Sequence, residues 1–407
     1  MGFNFELKHT RQTPGHINKF YNYFSNKPAI DLLFADNVRL EYPTVNADLG
    51  ISWAWGSFAF GKNSLNWGYG ENGKIVLSNR APSFPYIKLN IKPTDWFRFD
   101  YIHAWLNSNV IDSNSFYASW RYRENQNTDR FSFKSKFIAL HSATFLPLEN
   151  LEVSLGESVV YADNLQVIYL IPFMFFDLGD EYLMRNNNYA GSSTQLFLSA
   201  SSRNHIPHTH LYSNFHADEL TPDGLFDPKT QYYKMAFTFG ANVVDLPFTN
   251  LGTTIEYTKV YPGEYRHFIP TLTYESSSIL LGHWIGDNAD MIYFALDYIF
   301  IRGLKAKVWT QYIRKGTEAI GNRAYKVTIP QPHFLFTDNI IDRKNYRYYG
   351  IEIEYEITHE LFVKTHFQYL DFQQRIQYGK YKSILYRDFS FLFLVMEFNG
   401  FKKRQLN

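Results

Sequence analysis

The chain has 407 residues, with 40 Lys and Arg against 39 Asp and Glu, and no cysteine. A net charge of +1 is not that of a nucleic-acid-binding surface, and the missing cysteines exclude disulfide frameworks, thiolate zinc sites, iron–sulfur clusters and cysteine nucleophiles. Aromatic residues make up 19% of the chain, too many for disorder. Its longest apolar stretch, Leu165–Phe176, is broken by Pro172 and falls well short of the ~18 residues of a membrane helix. With a mean hydropathy of −0.31, two classes remain: a large soluble all-β protein, or a transmembrane β-barrel, whose membrane signal is alternation rather than a continuous apolar run.

In chain order, Met1–Asn18 has neither an apolar core nor a small-residue cleavage site and does not read as a signal peptide. An outer-membrane barrel needs one, so the chain is expected to be a mature form or to lack its true start. Residues 1–407 read as a single barrel domain, of which 1–29 form an N-terminal segment and whose strands begin near Ile30. Val45, Ala47, Leu49, Ile51, Trp53 and Trp55 then alternate with Asn46, Asp48, Gly50 and Ser52, and Ile87, Leu89 and Ile91 with Lys88, Asn90 and Lys92. Tyr233, Met235, Phe237 and Phe239 oppose Tyr232, Lys234 and Thr238. Further on, Ile292, Phe294, Leu296, Tyr298 and Phe300 oppose Tyr293, Ala295 and Asp297. A turn at Ile301-Arg302-Gly303 leads into a partner strand carrying Lys305 and Lys307 on its polar face. Tyr349, Ile351, Ile353, Tyr355 and Ile357 alternate with Glu352, Glu354 and Glu356 before a turn at Thr358–Glu360.

Strands of this kind run about 9–13 residues, the length of a tilted membrane-spanning strand rather than of an average globular one. Glu352, Glu354, Lys364, Lys305 and Asp297 are out of place in a dry sandwich core and suit a wet lumen. Short connections alternate with long ones at Asn63–Pro85, Asn107–Ser135, Ala162–Ser192, Ala217–Thr230, Tyr261–Ala289, Lys315–Asn345 and Gln374–Ile384, as periplasmic turns alternate with outer loops in outer-membrane barrels. The parity requires Phe116–Arg123 to be an extramembrane hairpin. The sum is an all-β, antiparallel transmembrane barrel of about 16–18 strands, closing near Asp388–Phe398.

Catalytic and metal motifs are not evident. Gly68-Tyr69-Gly70 with Gly73 lacks the Lys-Ser/Thr of a phosphate loop. The histidines of HIPHTH (His205, His208, His210) suit a polar periplasmic turn. Asp287 to Asp290 reads as a loop-to-strand cap rather than a calcium loop. Glu152 and Glu157 are five residues apart, which on a strand puts them on opposite faces and argues against a glycosidase pair. No cofactor is implied.

Four segments together resemble the Wzi family of capsule-assembly outer-membrane proteins, in the form found in Bacteroidetes-like bacteria. They are Gly61–Pro85 (GKNSLNWGYGENGKIVLSNRAPSFP), Leu155–Phe176 (LGESVVYADNLQVIYLIPFMFF), Leu211–Leu220 (LYSNFHADEL), and Ile255–His267 with Leu281–Asp290 (IEYTKVYPGEYRH … LGHWIGDNAD). The resemblance implies an eighteen-stranded barrel and a non-catalytic, lectin-like role, holding capsular or other surface polysaccharide at the cell surface. Its surroundings would be outer-membrane lipid and lipopolysaccharide, and its partners other outer-membrane assembly proteins. The family's periplasmic helical segment has no evident counterpart here. Sugar recognition uses aromatic faces beside a few polar groups. The long loops and neighbouring strand ends supply Trp67, Tyr69, Tyr161, Tyr169, Tyr265, His267, His283 and Trp284, beside Glu157, Asp287 and Asp290. A diffusion porin shares the architecture and an outer-membrane hydrolase is a third reading; an open lumen would favour the first, turnover of glycan or lipid the second. Finally, Ala162–Ser192 is too apolar to hang in water and is expected to fold inward as the plug, carrying Tyr169 towards Glu157 and Tyr161.

Overall fold

In the computed structural model the described residues are 2–12, 40–121, 126–187, 191–218, 234–316, 344–358, 361–376 and 382–398. They form one antiparallel meander of sixteen strands. In order these are β1 Gly2–Gln12, β2 Leu40–Trp53, β3 Gly56–Asn63, β4 Phe84–Thr94, β5 Phe97–Ile111, β6 Phe133–Leu148, β7 Leu151–Ala162 and β8 Ser193–Arg203. There follow β9 Thr209–Asp218, β10 Lys234–Val244, β11 Leu251–Val260, β12 Ala289–Ile301, β13 Leu304–Lys315, β14 Lys344–Thr358, β15 Leu361–Ile376 and β16 Lys382–Phe398. Sixteen strands among the described residues is the lower end of the periodicity count; the resemblance implies eighteen. The strand register starts earlier than expected. Gly2–Gln12 is not a leading segment but a strand, paired with β2 from Gly2↔Gly50 to Gln12↔Leu40. Its short alternation, Phe3, Phe5 and Leu7 exposed and Glu6 bonded to Asn46, is the same signal seen elsewhere. Phe401 and residues 219–233, 317–343 and 377–381 lie outside the described residues.

The faces follow the period-2 rule of a strand. On β12, Ile292, Phe294 and Leu296 are exposed while Met291, Tyr293 and Ala295 are buried. Asp297 pairs with Lys307, Glu354 with both Lys305 and Lys364, and Glu352 with His366, all on the inner face. At the short-turn end Trp53 packs edge-on to Trp55, Trp96 stacks on Phe145, and Tyr298 meets Phe300. These are the aromatics of an interfacial girdle. The excursion between β5 and β6 carries its own separate hairpin, Tyr117–Arg121 with Gln126–Arg130, as the parity required.

Among the described residues two loops enter the inside. Residues 64–83 run into the lumen, closed on themselves by the Trp67 N–H to the Leu77 carbonyl at 2.7 Å. Ile75, Val76 and Leu77 are completely buried. The 261–288 loop meets this segment head-on. Tyr265 and Tyr274 donate their hydroxyls to the Ile75 and Val76 carbonyls, each at 2.8 Å, and the Ser78 N–H donates to the Leu281 carbonyl at 2.6 Å. Residues 69–72 bond in turn to Glu152 on β7, Asn214 on β9, Glu256 on β11 and Gln311 on β13. One short loop can reach strands so far apart in sheet order only because the sheet curls around it.

The plug is therefore not the Ala162–Ser192 loop. On β5, β6 and β7 the side chains of Phe99, Tyr101, Phe137, Ala139, Val159 and Tyr161 point away from the lumen, in the same register as exposed Leu155, Leu196 and Leu198. Within the expected plug, residues 162–187 descend over these side chains on the outside of the wall. Tyr169, Phe176 and Leu183 are buried against them. It contains a short 3-10 turn at Val167–Leu170 and a helix, α1, at Phe176–Asn187. The expectation of an inward fold failed because the outer wall offered an equally apolar surface, one that also bonds the segment's backbone. The Tyr101 hydroxyl donates to the Tyr169 carbonyl at 2.8 Å, and the Phe176 N–H donates to Glu157 at 3.0 Å.

Candidate functional site

The eleven residues singled out from the sequence separate into three places. Glu157, Tyr161 and Tyr169 do come together, with the Tyr161 and Tyr169 rings 4.7 Å apart, but under the outer-wall segment and closed to solvent. Glu157 is held there by His141 at 3.1 Å. Asp290 also faces outward, where it takes Arg314 through two guanidinium nitrogens and the Tyr257 hydroxyl at 3.1 Å.

A second group is the framework of the plug. Tyr265, His267, His283, Trp284 and Asp287 are buried. Burial drives the Tyr265 phenol well above its ordinary range. Trp284 donates its indole N–H to the Asn72 carbonyl. The His283 ring accepts the Ile285 N–H at Nδ1 and leaves Nε2 buried without a partner, so the neutral imidazole carries its proton there. Burial, reinforced by nearby Arg80, lowers this histidine to about 3. Asp287 caps the loop by accepting the Gly263 N–H at 3.4 Å and facing Arg266.

Only Trp67 and Tyr69 border open space. They line a cavity of about 490 Å³ in the lumen whose other walls are β4 to β8: Lys88, Asn90, Arg98, Asp100, Ser142, Thr144, Glu152, Ser154, Ser199 and Arg203. Arg98, Glu152 and Arg203 lie at strand ends beside the short turns, so the cavity extends to that end. Glu152 sits at the centre of the polar rim. It accepts the Tyr69 hydroxyl at 2.9 Å and lies 3.5 Å from Arg98 and 3.4 Å from Arg203. Burial, then the Glu152 charge, raises the Tyr69 phenol to about 12, so this hydroxyl remains a donor. Arg98 also pairs with Asp100 at 2.9 Å. In the HIPHTH turn, His205 and His210 are taken up by the hydroxyls of Ser202 and Ser201.

Sequence reasoning missed the wall residues Lys88, Arg98, Glu152 and Arg203, and the clamps Asn214 and Glu256. The signal for the clamps was present. Asn214 lies in LYSNFHADEL and Glu256 in IEYTKV, two of the segments that carried the family resemblance. Glu256 accepts the N–H groups of Glu71 and Asn72 and the Tyr212 hydroxyl. Asn214 accepts the Tyr69 N–H at 2.9 Å and donates to the Tyr69 carbonyl at 2.8 Å. The inward polar residues of these motifs thus hold the loop supplied by the first motif.

Residues 31–162 match the family model described as capsule assembly protein Wzi. No curated protein sequence matches the chain significantly. Among solved structures, similarity extends to the Escherichia coli outer-membrane protein Wzi, involved in group 1 capsule assembly and described as a carbohydrate-binding β-barrel. Its TM-score is 0.55 and its identity 10%, covering 94% of this chain and 81% of that one. OpdK of Pseudomonas aeruginosa, solved with vanillate, gives a TM-score of 0.48 at 8% identity, covering 98% and 87%. A BenF-like porin of Pseudomonas fluorescens gives 0.45 at 10%, covering 96% and 87%. The chain thus has the fold of an outer-membrane β-barrel and, over residues 31–162, resembles the capsule assembly protein Wzi family in sequence.

Proposed function

We propose that this barrel binds or anchors capsular or other surface polysaccharide at the cell surface, and that it does so without catalysis. The observation that carries the reading is the pair of long loops held inside the lumen. Two long loops meet inside it through main-chain acceptors and buried aromatics, and four wall strands clamp them. A diffusion porin needs an open path, and loops bonded to four wall strands across the lumen argue against one. The family match over residues 31–162 supports the capsule reading. The non-catalytic reading rests on the same match. Glu152 and Glu157, the pair that invited a glycosidase, point to opposite sides of the wall, so no bond lies between them to be cleaved. The test is binding of the purified barrel to the source organism's own capsule, alongside conductance in planar bilayers. Saturable binding with negligible conductance is the expected pair of results. Porin-like conductance without glycan binding would overturn the reading.

A further inference from the structure

The cavity bordered by Trp67 and Tyr69 has a composition and an exposure that the surface-anchoring role does not explain. About 490 Å³ is room for one or two sugar rings. One side offers the Trp67 indole; the wall offers hydroxyls and amides; the rim offers Arg98 and Arg203. Lys88, Arg98 and Arg203 outnumber Asp100 and Glu152 by one charge. The two carboxylates are engaged by the arginines and Tyr69, whereas Lys88 has no carboxylate partner among the described residues. A single cation inside a concave, hydroxyl-lined and partly desolvated cleft selects an anionic ligand. The cleft extends to the short-turn end, where Arg98, Glu152 and Arg203 stand, and the 64–83 loop enters the lumen from the long-loop end. In outer-membrane barrels the short turns face the periplasm.

We propose that this cleft is a binding site for an acidic saccharide unit, a hexuronate-type sugar whose ring packs on Trp67 and whose carboxylate meets Lys88, and that the site is entered from the periplasmic mouth. The proposal rests on the polysaccharide-binding reading and names the sugar chemistry and the side of the membrane for it.

The experiment is calorimetric titration of the purified full-length barrel with tetragalacturonate and with maltotetraose, each at low and high salt. The wild type should bind the acidic oligosaccharide at least tenfold more tightly than the neutral one, and added salt should narrow the gap. Lys88→Ala, a change at a side chain outside the plug contacts, should remove that preference while the barrel keeps its heat-modifiable migration. Trp67→Ala should weaken both oligosaccharides. Equal binding of the two, no binding of either, or an unchanged preference in Lys88→Ala overturns the proposal. Binding of wild type and Lys88→Ala to intact capsule is measured in parallel. If capsule binds equally well to both, only the cleft assignment fails; if capsule does not bind at all, the polysaccharide reading itself fails.

Discussion

Val160 and Tyr161 are consecutive residues of β7 that belong to different cores. Val160 packs in the lumen against the plug side, while the Tyr161 ring lies 4.7 Å from Tyr169 on the outside of the wall. A single strand therefore carries two unrelated packing problems, one per face, and the two long loops nearest it solve one each. The loop with many unpaired backbone groups goes to the polar lumen. The loop rich in apolar side chains goes to the apolar outer wall.

The outer-wall segment is not the barrier to permeation. Deleting Leu165–Met184 should leave single-channel conductance near the parent value, because residues 64–83 and 261–288 remain in place. It should lower the stability of the barrel, since Tyr101, Phe137, Tyr161 and the His141–Glu157 pair lose their cover. Conductance in planar bilayers and urea unfolding in lipid vesicles separate the two effects. A large rise in conductance would place the barrier in the wrong loop.

Replacing Trp67–Ser78 by a short Gly-Ser linker should open the lumen. The buried Ile75-Val76-Leu77 strip and the Tyr265 and Tyr274 anchors would go together. Conductance should rise at least tenfold while β content by circular dichroism is unchanged, because none of the sixteen strands is touched. A milder version is Tyr265→Phe, which leaves the Ile75 carbonyl buried without its donor and should loosen the plug by about 1–3 kcal/mol, read as transient openings.

Acid should also loosen the plug. His283 is buried and neutral, with a pKa depressed from 6.5 to about 3. A base depressed on folding contributes stability that is complete above its unfolded pKa and is lost as pH falls below it. Between about pH 6.5 and pH 3 the loss approaches 1.4 kcal/mol per pH unit, as an upper limit. Hydrogen exchange at Ile75 to Leu77 should speed up across that window, and His283→Gln should flatten the dependence. The same pH profile in wild type and His283→Gln would remove His283 as the cause.

Leu296 faces lipid between Phe294 and Tyr298. Leu296→Arg should cost about 2–4 kcal/mol in refolding into bilayers. Ala295→Ser, one residue away on the inner face, keeps the apolar belt intact and should cost no more than about 1.5 kcal/mol. Equal costs at the two positions would mean the faces are assigned the wrong way round.

Much of this architecture follows from the chain alone. The alternation of Ile292, Phe294 and Leu296 with Tyr293, Ala295 and Asp297 assigns lipid and lumen faces, because a strand's side chains alternate whatever surrounds it. The same alternation governs Gly2–Gln12, where Phe3, Phe5 and Leu7 mark a strand; the run was simply separated from the next strand by a long interval. Turn lengths, the extramembrane hairpin and the lumenal charges were legible for the same local reason. What a loop does was not. Apolar Leu165–Phe176 and Gly-rich Trp67–Gly73 both had to be buried, and composition does not say against which wall. That choice depended on partners remote in sequence: Asn214, Glu256 and Gln311 for one, Tyr101 and Glu157 for the other. Backbone groups taken out of water must find acceptors and donors wherever these exist. Only the tertiary arrangement brings those wall residues within reach, so only it decided which loop became the plug and which residues were left to line the cleft.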